Sequence, residues 1–358
     1  MVRESPLPPR RSALQLALAL LAPSASHAAS QAAPVGYRSL RLRGAQNAPV
    51  SLWYPTRAKG AVEKAPYRHY ISVARIVELL QGAQLPNLGW EFRLKADSPI
   101  QVDAPFASDA AASELQLARA RHGAGPARCA VVFAHGYLGS RFDMLHLCER
   151  LAQKGFVVAA PDFPEGLSGA VPLGRVNRQL ILEELISRLR REFGVEHLGI
   201  VGHSAGGGTA TVSTMPFRCG RVAVAGLAAY AQPDPLLVVA SEGDGVVPLG
   251  RVLKALPPDA LSVEAVGAAD VAAHRRLALL LRSGKGRGRA PCHISFLSAE
   301  SNEAMVTLLS PLLPVARALR VPVLDFDTYL SLRDGPQVAE QVLPLIEDFF
   351  FYHAARAV

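Results

Sequence analysis

From Arg128 onward, short apolar runs alternate with longer amphipathic stretches, and glycine or proline stands at most of the joins. Residues 129–134 are continuously apolar, which marks a strand buried on both faces of a parallel sheet. Residues 142–154 have helical spacing and close on Gly155; residues 156–160 form the next strand, stopped by Pro161-Asp162. A long amphipathic helix is expected over 175–193, ended by Gly194. Strands are then expected over 198–201, 222–227, 236–240 and 261–266. Strands separated by helices restrict the chain to an α/β class: a mostly parallel, doubly wound sheet with helices on both faces.

The flanks are less regular. Residues 35–43 and 50–54 read as two edge strands ahead of the central ones. Residues 60–126 mix a helical piece, 71–80, with Pro-rich and Ala-rich stretches, and read as an insertion placed over the site. The Gly- and Arg/Lys-rich segment 282–289 is an expected loop. It opens a C-terminal extension, 282–355, of strand (293–297), helix (303–319), strand (321–326) and helix (337–351). One domain is expected over 35–355.

Composition removes several function classes. The 358 residues are half hydrophobic, and the net charge of +8 is scattered rather than clustered. Basic and aromatic residues do not interleave in a block, so nucleic acid is not an expected partner. No zinc-ligand spacing or Walker-type loop occurs. The first residues read as an export signal: Arg3, Arg10 and Arg11 precede the apolar stretch 13–22, and Ser26-His27-Ala28 offers a cleavage site. Arg10-Arg11-Ser12-Ala13-Leu14 also resembles a twin-arginine signal. The expected mature protein is therefore periplasmic or secreted, with no later membrane span. Its cysteines, Cys129, Cys148, Cys219 and Cys292, form two disulfides or remain buried thiols.

The chemistry rests on Gly202-His203-Ser204-Ala205-Gly206, between an expected strand and the small-residue run Gly207-Gly208-Thr209-Ala210. A strand, a sharp turn centred on serine and a helix hold a hydroxyl clear of its own backbone. The glycines remove side chains that would collide in the turn. Ser204 is the expected nucleophile. The free N–H of Ala205, at the helix start, is one oxyanion donor. The second is expected in the loop His135-Gly136-Tyr137-Leu138-Gly139, at the Tyr137 amide, with His135 bonding backbone within that loop. Read blandly, the same loop is an ordinary strand-to-helix turn.

Asp244 follows the strand at 236–240 and is the expected acid of a triad, with Glu242 as the alternative carboxylate. The bland reading makes Asp244 an Asp-Gly turn residue. The base must come later in the chain. After the strand at 261–266 the loop reads Gly267-Ala268-Ala269-Asp270, with aspartate where a histidine is expected. His274 is the first candidate, His293 the second, and a site with no histidine base the third. His353 is expected on the surface of the last helix.

With those residues in place, the chain resembles the α/β-hydrolase superfamily. Within it, it is similar to the exported esterase branch of platelet-activating-factor acetylhydrolase-like, dienelactone-hydrolase-like and cutinase-like proteins. The matching stretches are Leu52-Trp53-Tyr54-Pro55-Thr56, His135 through Arg141, Gly155 through Asp162, Gly202 through Gly208, and Leu237 through Pro248. The resemblance implies a serine-dependent carboxylic ester hydrolase. It would use no metal and no organic cofactor, and would act on a small-molecule or lipid-like ester. The departures are Asp270 and the segment from Arg282 onward. They keep open a second reading, a hydrolase-fold binding module without its base, and a third, acyl transfer to an acceptor other than water.

Overall fold

The computed structural model describes residues 34–58, 63, 65–107, 113–125, 127–265, 270–271, 274–284, 289–310, 314 and 335–358. The expected export signal and the strand expected over 321–326 lie outside them. In chain order the elements are β1 (Val35–Leu42), β2 (Ala48–Pro55), β3 (Tyr67–Ser72), α1 (Val73–Gln81), β4 (Gly89–Leu94), β5 (Ile100–Val102) and α2 (Glu114–Arg121). Then follow β6 (Arg128–Ala134), α3 (Leu145–Gln153), β7 (Val157–Pro161), α4 (Arg178–Phe193), β8 (Val195–His203) and α5 (Ala205–Val212). The rest are β9 (Gly220–Val224), β10 (Leu236–Ser241), α6 (Leu249–Ala255), β11 (Leu261–Val263), β12 (Arg276–Leu281), a 3₁₀ turn (His293–Phe296), α7 (Ala299–Leu309) and α8 (Gly335–Arg356).

One ten-stranded sheet runs in the order β11-β12-β10-β9-β8-β6-β7-β2-β1-β5. From β11 to β7 every pairing is parallel, and β2 pairs antiparallel with both β7 and β1. This is the α/β-hydrolase fold. The chain reverses its direction across the sheet at β6, which has β7 on one side and β8 on the other. The loops leaving β6 and β8 therefore meet at a switch point, where open α/β sheets form their sites.

Alternation along β6 explains the continuous apolar run. Cys129, Val131 and Phe133 join the core under α3 and α8, while Ala130, Val132 and Ala134 join the core under α4. Helix α4 meets that second face with Ile181, Leu182, Leu185, Ile186, Leu189 and Phe193, all buried at helical spacing. Asn177 caps its first turn by accepting from the Leu180 amide at 2.9 Å, and Gly194 ends it at φ 61°. Truncating Leu185 to alanine would cost about 2–5 kcal/mol, from lost burial and the cavity left behind.

Elements on both sides of the sheet centre differ from the sequence expectation. Helix α3 begins at Leu145 rather than at residue 142, because the Asp143 carboxylate accepts from the Ser140 amide at 3.0 Å and folds 140–143 into a turn. More consequentially, Arg276–Leu281 is a strand, β12, that pairs in parallel with β10. It displaces β11 to the sheet edge.

The expected insertion before the central strands contains the β3-β4 pair, α1, β5 and α2. Its helix α1 is clamped to the chain after β7: the Arg75 guanidinium donates to the carbonyls of Pro164 at 3.0 Å and Val171 at 3.1 Å. The Tyr137 hydroxyl donates to the Leu79 carbonyl at 2.6 Å, so α1 touches the loop that follows β6.

Candidate active site

Ser204 sits between β8 and α5 at φ 57°, ψ −122°, a region that non-glycine residues seldom occupy and that costs of order 1–3 kcal/mol. The surroundings enforce it. The Ser204 amide donates to the Val224 carbonyl on β9 at 2.9 Å. A Cβ on Gly202 would lie 1.9 Å from the Gly206 oxygen, one on Gly206 1.8 Å from the Ala134 oxygen, and one on Gly226 2.1 Å from the Ser204 oxygen. The glycines let three backbones cross closely, and the crossing leaves the serine half-buried with Ala205 exposed beside it.

The loop after β6 lies against this turn. A Cβ on Gly136 would come within 2.9 Å of Ser204 Cβ and 3.4 Å of its Oγ. The His135 ring fixes the loop. The Phe163 amide donates to His135 Nε2 at 2.9 Å, so the proton is on Nδ1, which donates to the Gly136 carbonyl at 2.8 Å. Burial, with the Arg178 charge adding to it, lowers the pKa of His135 to about 4 and keeps the ring neutral. The role expected for His135 matches this bonding. The Tyr137 and Ala205 amides donate to no backbone carbonyl among the described residues, and the Ala205 N–H has no partner within its helix.

Asp244 lies beyond the end of β10, 5% exposed. Its Oδ1 accepts from the amides of Val246 at 2.9 Å and Val247 at 2.8 Å. The imidazole bonded to it is that of His293, whose Nδ1 stands 2.9 Å from Oδ2 and 3.0 Å from Oδ1. Glu242, the alternative carboxylate, accepts instead from the Ser283 amide at 3.1 Å.

Of the two candidate histidines, the second, His293, and not the first, His274, is the one that meets Asp244. His274 precedes β12, and its amide bonds to the Asp270 carbonyl at 3.1 Å. The six residues of β12 then separate it from the C-terminal edge of the sheet, a rise of about 20 Å. Asp270 lies at that same far end and is exposed. The sequence reading looks for a histidine in the loop directly after the strand at 261–266. The missed signal was Leu277-Ala278-Leu279-Leu280-Leu281, an apolar run as continuous as that of β6. Counting it moves the search for a histidine to the loop that follows, where His293 stands.

His293 opens a 3₁₀ turn rather than the expected strand. That turn is held from several directions. Asn302 Nδ2 donates to the Ile294 carbonyl at 3.0 Å, and the Ser241 hydroxyl donates to the Pro291 carbonyl at 2.6 Å. A Cβ on Gly243 would meet the Ala290 oxygen at 2.3 Å, so the acid's loop and the base's loop pack backbone to backbone. His203 reaches across to the same turn, its Nε2 2.9 Å from the His293 carbonyl and the two rings 4.7 Å apart. Since His203 precedes Ser204, this places the His293 turn beside the nucleophile's strand end.

Among the described residues no cluster of His, Cys, Asp and Glu could hold a metal ion, and no helix is long and apolar enough to cross a membrane. All four cysteines are buried free thiols. A cavity of about 660 Å³ lies between α3 and α7 and is lined by His146, Glu149, Asn302 and Leu343. It touches none of Ser204, Asp244 and His293.

No protein-family model matches this chain, and no curated protein matches it. Among solved structures it is similar to a ferulic acid esterase from Streptomyces cinnamoneus, at 19% identity and TM-score 0.37, over 62% of this chain and 68% of that one. It is also similar to a protein described as a dienelactone hydrolase from Klebsiella pneumoniae, at 14% identity and TM-score 0.35, over 77% and 97%. A third is Est1E from Butyrivibrio proteoclasticus with ferulic acid bound, at 11% identity and TM-score 0.34, over 54% and 92%.

Proposed function

We propose that the chain is a serine hydrolase that cleaves small-molecule or lipid-like carboxylic esters through an acyl-enzyme on Ser204. The observation that carries this reading is the Asp244–His293 bond, formed by a buried carboxylate and an imidazole whose turn is tied to the residue before the serine. A carboxylate accepting from Nδ1 leaves Nε2 of the neutral ring with its lone pair. Nε2 takes the Ser204 proton as Oγ attacks the ester carbonyl. The Tyr137 and Ala205 amides hold the oxyanion, and the imidazolium returns its proton to the leaving alcohol. Water, deprotonated by the same ring, then releases the acid. An acceptor other than water would use the same acyl-enzyme. The N-terminal pattern supports export as the setting of this activity.

The second reading, a non-catalytic binding module, is motivated by Asp270 at the expected histidine position; the Asp244–His293 contact supports the hydrolase over it. Labelling by a fluorophosphonate and turnover of p-nitrophenyl acetate test the proposal. Ser204→Ala is expected to abolish both. His293→Ala should lower kcat by about 10²–10⁴-fold, while His274→Ala leaves it unchanged. A fully active His293→Ala variant would overturn the assignment of the base, and an unlabelled wild type would overturn the hydrolase.

A further inference from the structure

Arg178, the first residue of α4, points its guanidinium at the oxyanion loop instead of at solvent. Its side chain is 14% exposed. Nη1 donates to the His135 carbonyl at 2.8 Å and Nη2 to the Gly136 carbonyl at 3.4 Å. The group lies over the Phe163 ring, 4.4 Å from its centroid, and Nε pairs with Glu165 at 3.3 Å. Glu165 closes the circuit, because its own carbonyl accepts from the Leu138 amide at 3.0 Å. Residues on both sides of Tyr137 are thus held by the two partners of one ion pair, Gly136 by the Arg178 guanidinium and Leu138 by the main chain of Glu165.

The peptide plane gives this contact a direction. No cis peptide occurs among the described residues, so the Gly136 carbonyl and the Tyr137 N–H point in opposite senses. Whatever pulls the carbonyl one way aims the N–H the other way. The Gly136 carbonyl accepts from His135 Nδ1 at 2.8 Å, from the Gly139 amide at 3.3 Å and from Arg178 Nη2 at 3.4 Å, so the guanidinium is one of three donors that fix the plane of the Tyr137 peptide. A guanidinium suits the task because its planar fork can reach two carbonyls at once.

We infer that Arg178 is a positioning residue that, braced by Glu165, aims the Tyr137 amide into the oxyanion site. This rests on the hydrolase reading above, and its contribution appears only when negative charge develops on the substrate. A misaimed donor lowers kcat and leaves KM nearly unchanged. A merely structural arginine would lower stability and the active fraction instead.

The test compares wild type, Arg178→Lys, Arg178→Gln, Arg178→Ala and Glu165→Gln on p-nitrophenyl acetate, with active sites counted by burst titration. Per active site, Arg178→Gln is expected to lose about 10- to 100-fold in kcat, less than deleting a donor outright, with KM within about 3-fold. Arg178→Lys should fall between, since an ammonium is a point donor. Arg178 lines a surface pocket with Asn177 and Thr209, so free guanidinium can enter the space left in Arg178→Ala. Millimolar guanidinium should restore part of its kcat.

The amide itself supplies a readout that does not depend on turnover. In ¹⁵N-tyrosine-labelled protein, assigned by Tyr137→Phe, the Tyr137 resonance should shift in Arg178→Gln and stay in place in a distant control such as Arg188→Gln. Unchanged kcat per active site in folded Arg178→Gln, or an unshifted Tyr137 resonance, overturns the inference. A wild type that neither turns over nor labels at Ser204 defeats the hydrolase instead, while the resonance still reports whether Arg178 aims the amide.

Discussion

His203 Nε2 donates to the carbonyl of His293 at 2.9 Å, so the residue before Ser204, the proposed nucleophile, holds the backbone of His293, the proposed base. Burial lowers the pKa of His203 to about 3, and the neutral ring keeps its single proton on the nitrogen that faces the carbonyl. Replacing it removes the bond that sets the two catalytic segments at a common distance. His203→Ala should lower kcat about 10-fold with little change in KM. His203→Gln, which keeps an N–H donor, should lie between it and wild type. Steady-state kinetics on p-nitrophenyl acetate check this order, and a fully active alanine variant would contradict it.

The strained backbone at Ser204 separates two inactive variants by stability. Alanine keeps the φ of 57° and its cost, whereas glycine accepts it freely. Ser204→Gly should therefore melt a few degrees above Ser204→Ala, consistent with a difference of about 1 kcal/mol. Differential scanning calorimetry of the pair checks it, and equal melting temperatures would mean the turn is relaxed.

His69 gives a pH signature. Both of its ring nitrogens are buried without a partner among the described residues, and its ring meets that of Phe142 edge-on at 5.4 Å. Burial lowers its pKa to about 3, below the unfolded value of about 6.5. The unfolded chain therefore takes the proton first, and wild type loses stability as pH falls from about 6.5 towards 3. His69→Phe keeps the ring contact and removes this loss. Its stability relative to wild type should be greater at pH 5 than at pH 8 by about 2 kcal/mol, whatever pH-independent packing change it brings. Urea unfolding at the two pH values measures the difference, and a pH-independent gap would refute it.

The four buried thiols predict a chemical count. A thiol reagent should find none of Cys129, Cys148, Cys219 and Cys292 in the folded protein and all four in urea. Absence of reaction even in urea would establish disulfides.

Much of this was legible because parallel strands buried on both faces announce themselves as apolar runs, and because the turn at Ser204 needs glycines at fixed offsets. Ser204, the loop 135–139 and Asp244 all follow such strands. His293 was harder to place. It stands well beyond the end of β12, past a charged loop, and a short 3₁₀ turn rather than a regular element presents it. Only the count of strands could have found it, and β12 was absorbed into the stretch before the Gly- and Arg-rich loop. Arg178 was invisible for another reason. Its hydrogen bonds to the oxyanion loop go to main-chain carbonyls, which leave no mark in a sequence.

Ser204 and Asp244, the proposed nucleophile and acid, lie on loops that follow β8 and β10, but the His293 imidazole arrives only after β12 has been laid beside β10. A ribosome releases these pieces in that order. The serine turn can form early in synthesis, yet it has no means of losing its proton until residue 293 emerges and its turn docks. On the proposed mechanism, a growing chain is therefore silent towards esters until that docking, although its serine turn is already made.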